Sequence, residues 1–323
     1  MAIRTLRTCC TLAFAALAAG TASAQDKFPN QTVHLVVAFA PGGVADVIGR
    51  IVGAKLEERW KQPVIIENKG GAGGNIAAKL MVQAPANGYR ILVTTSAYAV
   101  NPSMSANAGY IPGRDLTAVA VVATTPNIII TSGTGTIKTL ADVKALAVQR
   151  PVTYGTAGVG TTPHLSAERI FKLGAGLAVT HVPYTGAGPA VAAAIGGHVD
   201  IASIGMSAAS ELVKSGQARG LAITSAARVT ALPDVPTVAE AGFGAIDDST
   251  WVAFFVPAAT PAELVQQINT DLNAVIALPD VKANLGKIGF VPIGGSVADA
   301  AAFVRGEVAK WGDVVGKLGL RSE

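Results

Sequence analysis

VHLVVAFAPGGVADVIGRIVGAKL, residues 33–56, holds three signals in order: a β-prone apolar run (33–39), a Pro-Gly-Gly turn, and a segment in which Val44, Val47, Ile48, Ile51, Val52 and Leu56 return every three or four positions. A short apolar run followed by such a face is a strand feeding a helix across a tight turn. Outward from it, β-prone runs stand at 63–68, 89–95, 127–131, 152–155, 178–182, 199–204, 219–224 and 251–256. Alternating with helical-period stretches, they predict an α/β fold with a largely parallel sheet. A helix is expected to open at Thr139, where Asp142 approaches a capping box. A long amphipathic helix is expected over 296–318, where Ala300, Val304, Val308, Trp311, Val315 and Leu318 form one stripe. The segments 124–140 and 243–257 read as two crossings between domains.

The chain has 323 residues, half of them apolar and 14% charged, enough to build two cores. Residues 1–24 carry Arg4 and Arg7, an apolar run from Leu12 to Ala19, and Ala22-Ser23-Ala24 before Gln25. This is the pattern of an export signal cleaved near Ala24; the apolar run is far short of the ~20 residues a spanning helix needs. Both cysteines, Cys9 and Cys10, lie inside that signal, so the mature chain is expected to hold no disulfide, thiolate metal site or cysteine nucleophile. Without the two signal arginines, 23 basic residues face 21 acidic ones. They are scattered, with no basic run interleaved by aromatics, so nucleic acid is not an expected partner.

Three strand-to-helix junctions are glycine-rich: FAPGGVADV (39–47), NKGGAGGNIAA (68–78) and, within TYGTAGVGTTPHLSAERIF (153–171), the stretch around Gly158 and Gly160. Ligands of open α/β sheets bind beyond the strand carboxyl ends, where glycine allows close backbone approach and helix N-termini favour anions. A Walker loop fails because Thr161 stands where its lysine should be, and the dinucleotide fingerprint fails at Pro163 and Ile76. No G-x-S-x-G elbow occurs, which disfavours a hydrolase. His34, His164, His181 and His198 lack metal-ligand spacing, and neither metal nor cofactor is expected. After a Thr162 cap and Pro163, His164 falls at the second or third helical position, where it either donates to an anion or serves as a boundary residue. Asp46, two residues after the turn, either stabilises the helix start or accepts from a ligand.

These blocks resemble the Bug-type extracytoplasmic receptors, the substrate-binding proteins of tripartite tricarboxylate transporters. The similarity spans essentially the whole mature chain and includes residues 39–78, ANGYRILVTTSAYAVNPSM (86–104), HVPYTGAGPAVAAAIGGHVD (181–200) and, most specific of all, LPDVPTVAEAG (232–242). The resemblance implies a type II-like Venus flytrap of two α/β domains, 25–125 with 249–323 and 126–248, joined by two crossover strands. It implies a monomeric, periplasmic, non-enzymatic receptor that closes on a small organic carboxylate and passes it to membrane transporter subunits. A ligand-dependent sensor would share that pocket.

By the same resemblance the carboxylate lies against Gly158, Gly160, Thr161 and Thr162, with His164 beside it. The opposite wall is Pro41, Gly42, Gly43 and Asp46 with Thr95 and Ser96; Tyr184, Thr185 and Asp200 complete the candidate site. Many relatives carry a hydroxyl before the aspartate where this chain has Ala45, and a lysine where it has Thr185. Fewer charged donors imply a ligand less highly charged than a tricarboxylate.

Overall fold

The computed structural model describes residues 28–105 and 107–320; the export signal lies outside the described residues. In chain order the elements are β1 (Val33–Val37), α1 (Val44–Trp60), β2 (Val64–Asn68), α2 (Asn75–Val82), β3 (Arg90–Thr95), α3 (Ala97–Met104), β4 (Leu116–Ser132) and α4 (Leu140–Gln149). Then come β5 (Val152–Thr156), α5 (Thr162–Ala167), which runs into a π-helical turn (Glu168–Gly174), β6 (Val179–Pro183), α6 (Ala187–Ile195), β7 (Ile201–Gly205), α7 (Ser210–Lys214) and β8 (Ala218–Ile223). The last are β9 (Ser249–Pro257), α8 (Ala262–Ala277), α9 (Pro279–Lys287), β10 (Val291–Pro292) and α10 (Val297–Leu318).

The strands form one curled, mixed sheet in the order β2-β1-β3-β9-β4-β7-β5-β6, with β8 and β10 also pairing β4. Strands β1, β2 and β3 are parallel, as are β5, β6 and β7, while β4 and β9 run antiparallel to their neighbours. The 17-residue β4 is the spine. Its first part pairs β9 from Leu116↔Pro257 to Pro126↔Ser249, and from Asn127 onward it pairs β7 and β8 instead. The change of partner falls at Pro126, which has no N–H to give a ladder. Sequence periodicity found only 127–131 of this strand. Residues 116–126 carry two register shifts against β9, which blur the alternation.

Buried apolar residues form one large cluster from residues 33–123 and 251–315, with Leu165 added, and two smaller ones drawn from residues 128–246. Helix α4 opens on the Thr139–Asp142 capping box and α10 on a second box between Ser296 and Asp299. Helix α10 buries Ala300, Val304, Trp311 and Val315, four members of the expected stripe. It is fastened to β9 by Glu307, whose Oε2 accepts from both indole N–H groups, Trp251 and Trp311, at 2.9 Å each. Trp251 in turn offers its carbonyl to the Ser96 N–H at 3.1 Å, so this anchor reaches the end of β3.

Candidate functional site

The carboxyl ends of β1, β3, β5, β6 and β7 come together around one space. Phe39, Gly43, Val44 and Ala45 line it after β1, Thr95 at the end of β3, Ala157, Thr161 and Pro163 after β5, Ala187 after β6, Gly205 at the end of β7, and Thr250 at the start of β9. The cavity measures about 20 Å³, room for roughly one water molecule. The walls are therefore in contact. Ala40 N–H donates to the Thr185 carbonyl at 3.2 Å, and Ser96 Oγ lies 2.9 Å from Thr162 Oγ1. Glycine makes the approach possible: a Cβ on Gly188 would lie 2.5 Å from the Pro41 carbonyl oxygen, and one on Gly73 would lie 2.2 Å from that of Val159. A larger depression of about 460 Å³ lies at the β8 edge around Arg219.

Pro41 and Gly42 form the exposed tip of the first turn, and Gly43 lines the cavity. Asp46 is buried, and both its oxygens have local partners. Oδ2 accepts from the Gly42 N–H at 2.9 Å and from Arg50 Nε at 3.0 Å, while Oδ1 accepts from Asn68 Nδ2 at 2.9 Å. Burial alone would raise its pKa; the bonds from Arg50, Gly42 and Asn68 outweigh it and hold the carboxyl below its usual range. Asn68 also donates to the Phe39 carbonyl at 2.9 Å, so Asp46 and Asn68 together pin the turn to β2.

In the second turn, Gly158 and Gly160 take φ of 132° and 77°. The Gly158 N–H donates to Thr156 Oγ1 at 3.2 Å, and Thr161 Oγ1 donates to the Gly158 carbonyl at 2.8 Å. Helix α5 starts one residue earlier than expected. Thr161, still extended at φ −80° and ψ 151°, is the cap, and Thr162 opens the helix ahead of Pro163. A helix start leaves its first amides without intrahelical partners. Tyr184 holds the turn from behind, its N–H donating to the Thr156 carbonyl at 3.0 Å, and Thr185 meets the opposite wall through its carbonyl.

Asp200 does not join the candidate site, a correction to the sequence reading. It precedes β7, whereas Gly205 at the far end lines the cavity; five residues of strand separate them by about 16 Å. Its carboxylate is occupied by Arg150, at 2.8 and 2.6 Å, and by the Thr153 N–H and hydroxyl at 2.8 and 2.9 Å.

A buried chain of side chains runs inward from the cleft. Thr250 Oγ1 donates to Asn127 Oδ1 at 2.7 Å, so its one proton is committed. Thr162 must then donate to Thr250, at 2.6 Å, and Ser96 to Thr162. Beyond Asn127, Nδ2 donates to Ser166 Oγ at 3.1 Å, Ser166 to Asp248 Oδ2 at 3.0 Å, and Arg169 Nη1 to Asp248 Oδ1 at 2.6 Å. Asn127 lies on β4, Thr250 on β9, and Asp248 immediately before β9, so the chain ties β4 to β9 and to the segment that leads into it. Sequence reasoning marked the two crossings but missed Asn127, Gly205 and Thr250. The available signal was a polar residue inside a marked segment for Asn127 and Thr250, and a glycine directly after the expected 199–204 strand for Gly205.

His164 is absent from the cavity lining. Its ring stacks on His181 at 4.1 Å behind the second turn, with Tyr154 stacked on the other side of His181 at 4.9 Å. The Gly160 N–H points at His164 Nδ1, 3.4 Å away, placing that ring's proton on Nε2. Burial, helped by the Lys172 ammonium, pushes His164 down to about 4. Burial and then the His164 neighbour push His181 down to about 3. Both rings are neutral in the folded state while an unfolded chain protonates them near 6.5, so the stability they contribute is full above about pH 6.5. It is lost as pH falls toward 4 and then 3, with a slope of up to about 1.4 kcal/mol per pH unit for each ring. Melting curves from pH 7.5 to 4.5 are expected to fall less steeply for His181→Gln than for the parent; equal slopes would remove His181 as a cause.

Strand carboxyl ends converging from two sides on one enclosed space define a periplasmic-binding-protein fold, and relatives of known structure share it. A Rhodopseudomonas palustris protein solved with bound malate, MatC, is 28% identical, with a TM-score of 0.81 over 89% of this chain and 100% of that one. An R. palustris protein solved with adipate is 34% identical, with a TM-score of 0.86 over 91% and 99%. Protein BugT of Bordetella pertussis is 31% identical over 300 residues, 92% of each chain. The profile of the tripartite tricarboxylate transporter family receptor matches residues 48–320. The chain belongs to that family, whose members are solute receptors and not enzymes.

Proposed function

We propose that this chain is a periplasmic receptor, exported by its residue 1–24 signal, that binds a small organic carboxylate and delivers it to membrane subunits of the tripartite tricarboxylate type. The observation that carries the reading is the convergence of five strand carboxyl ends on one space beside the Gly158–Thr162 turn, where turn and helix-start amides, with the Thr95 hydroxyl, suit a carboxylate. Adipate and malate in the solved relatives support the ligand class. Two lobes, 28–125 with 249–320 and 126–248, part and close about residues 125–127 and 248–250 to admit it. Pro41, Gly42, Gly43, Thr95, Ser96 and the Gly158–Thr162 turn with Tyr184 and Thr185 form the walls. Asp46 and His164 position those walls from behind.

A ligand at a hundred times its Kd stabilises the folded state by about 2.7 kcal/mol, a melting shift of roughly 4 °C for a chain of this size. A thermal screen of small carboxylates is expected to return at least one such shift. No shift anywhere in the series, with no ligand retained in native mass spectrometry, would overturn the reading.

A further inference from the structure

The two lobes proposed above meet at a second place beside the cavity. Met206 directly follows Gly205, which lines the cavity, and opens a short 3-10 turn (Met206–Ala208) that leads into α7. Opposite it, in the other lobe, stand residues 287–289, where α9 ends just before β10. Met206, Ser210 and Lys214, each four residues after the last, meet these three consecutive residues in reverse order. A Cβ on Gly289 would collide with Met206 Cε, so the methionine fills the room that the glycine leaves. Ser210 Oγ stands 3.1 Å from the Ile288 carbonyl oxygen, and Lys214 Nζ donates to the Lys287 carbonyl at 2.8 Å. Carbonyls at a helix C-terminus lack intrahelical donors and carry the negative end of the helix dipole, so an ammonium suits them.

Both donors have an alternative inside their own lobe. The single Ser210 proton is shared between Ile288 and the Met206 carbonyl, which lies at 3.0 Å, and Lys214 also holds Glu211 Oε1 at 2.8 Å. When the lobes part, neither side chain is stranded, and the carbonyls of Lys287 and Ile288 turn to water. The contact therefore breaks at low cost and re-forms when the walls meet. No ligand contact is involved, since neither Ser210 nor Lys214 lines the cavity. A bond made only in the closed form raises the closed fraction, and the affinity of any ligand that needs that form rises in proportion.

Resting on the two-lobe receptor reading above, we infer that Met206, Ser210 and Lys214 form a latch, outside the ligand cavity, that biases the free receptor toward its closed form. It sets how tightly a carboxylate is held without choosing among carboxylates. Both cysteines of the chain lie in the export signal, so the mature chain can be labelled at Ala54→Cys in α1 and Val148→Cys in α4, exposed positions on opposite lobes. In pulsed electron spin resonance of the free protein, Ser210→Ala combined with Lys214→Met is expected to move the label distances away from the separation of the closed form. In titration calorimetry at pH 7.5 with adipate and with malate, the same double variant is expected to lose about three- to tenfold in affinity, by one factor for both. Lys138→Met, which removes a 2.7 Å ammonium–carbonyl bond within one lobe, is expected to change neither reading. Label distances identical to the parent's overturn the latch. A lower melting temperature with unchanged affinity does so too, because a contact kept in both forms stabilises the fold without favouring closure. Loss for one carboxylate and not the other would place these residues in ligand selection and also overturn it. Failure of the parent to bind either carboxylate would count against the carboxylate reading alone, since the label distances still decide the latch.

Discussion

Replacing Gly188 by alanine is expected to weaken ligand binding roughly ten- to a hundredfold, while the melting temperature of the free protein stays level or rises. Gly188 is the second residue of α6 and has no positive φ, so alanine suits its backbone and adds up to about 1 kcal/mol of helix propensity. The cost lies across the cleft. The new methyl would stand 2.5 Å from the Pro41 carbonyl oxygen, a backbone atom that cannot rotate away, so only the contact between the walls is opposed. Overpacking of this kind costs about 1–3 kcal/mol, and each 1.4 kcal/mol is tenfold in affinity. Gly316→Ala in α10, where an added Cβ meets nothing within 4 Å, is the control and should leave affinity unchanged. Calorimetry with the best carboxylate from the thermal screen reads the result. Unchanged affinity in Gly188→Ala would mean that the liganded form does not bring Pro41 and Gly188 together.

The second large effect is on stability. Asn127 is fully buried and sits where β4 changes partners. Its side chain donates to Ser166 and accepts from Thr250, while its backbone N–H donates to Thr224 Oγ1 at 2.9 Å and its carbonyl accepts from the Thr224 N–H at 2.9 Å. Asn127→Leu keeps much of the volume but removes one hydrogen bond from each of two buried hydroxyls, Ser166 and Thr250, which keep Asp248 and Thr162 as partners. A destabilisation of about 3 kcal/mol is expected, a fall of roughly 5 °C in Tm. Adding Thr250→Val to it should cost less than the two single changes together, by about 1 kcal/mol, because both single changes remove the same Thr250–Asn127 bond. Additive losses in urea melts of the four proteins would show that the two side chains do not act as a pair.

How far the sequence could be read depends on the range of the interaction. Strands β1, β5 and β8 and the Thr139–Asp142 capping box were legible because alternation and a Thr–Asp spacing of three are local properties. The cap at Thr161 was missed by one residue because two threonines in succession offer the same chemistry, and the turn geometry chooses between them. Asp46 and Asp200 were equally plausible as cleft residues on type alone. The fold gives each its own set of donors, Arg50 with Asn68 for one and Arg150 with Thr153 for the other, and puts Asp200 at the wrong end of its strand.

By itself the sequence determined the α/β class, the glycine turns beyond the strands and the family resemblance, since each rests on patterns within a few tens of residues. Only the tertiary structure decided which groups meet. Ser96 reaches Thr162 across 66 residues, Thr162 reaches Thr250 across 88, and Thr250 reaches Asn127 across 123. The fit of Val44 against Gly205, where an added Cβ would lie 2.2 Å from Val44 Cγ2, likewise exists only once the two walls are brought together. Hydrogen bonds and steric contacts act over a few ångströms of space, and no local pattern in the chain encodes which distant residues the folded sheet will place within that distance.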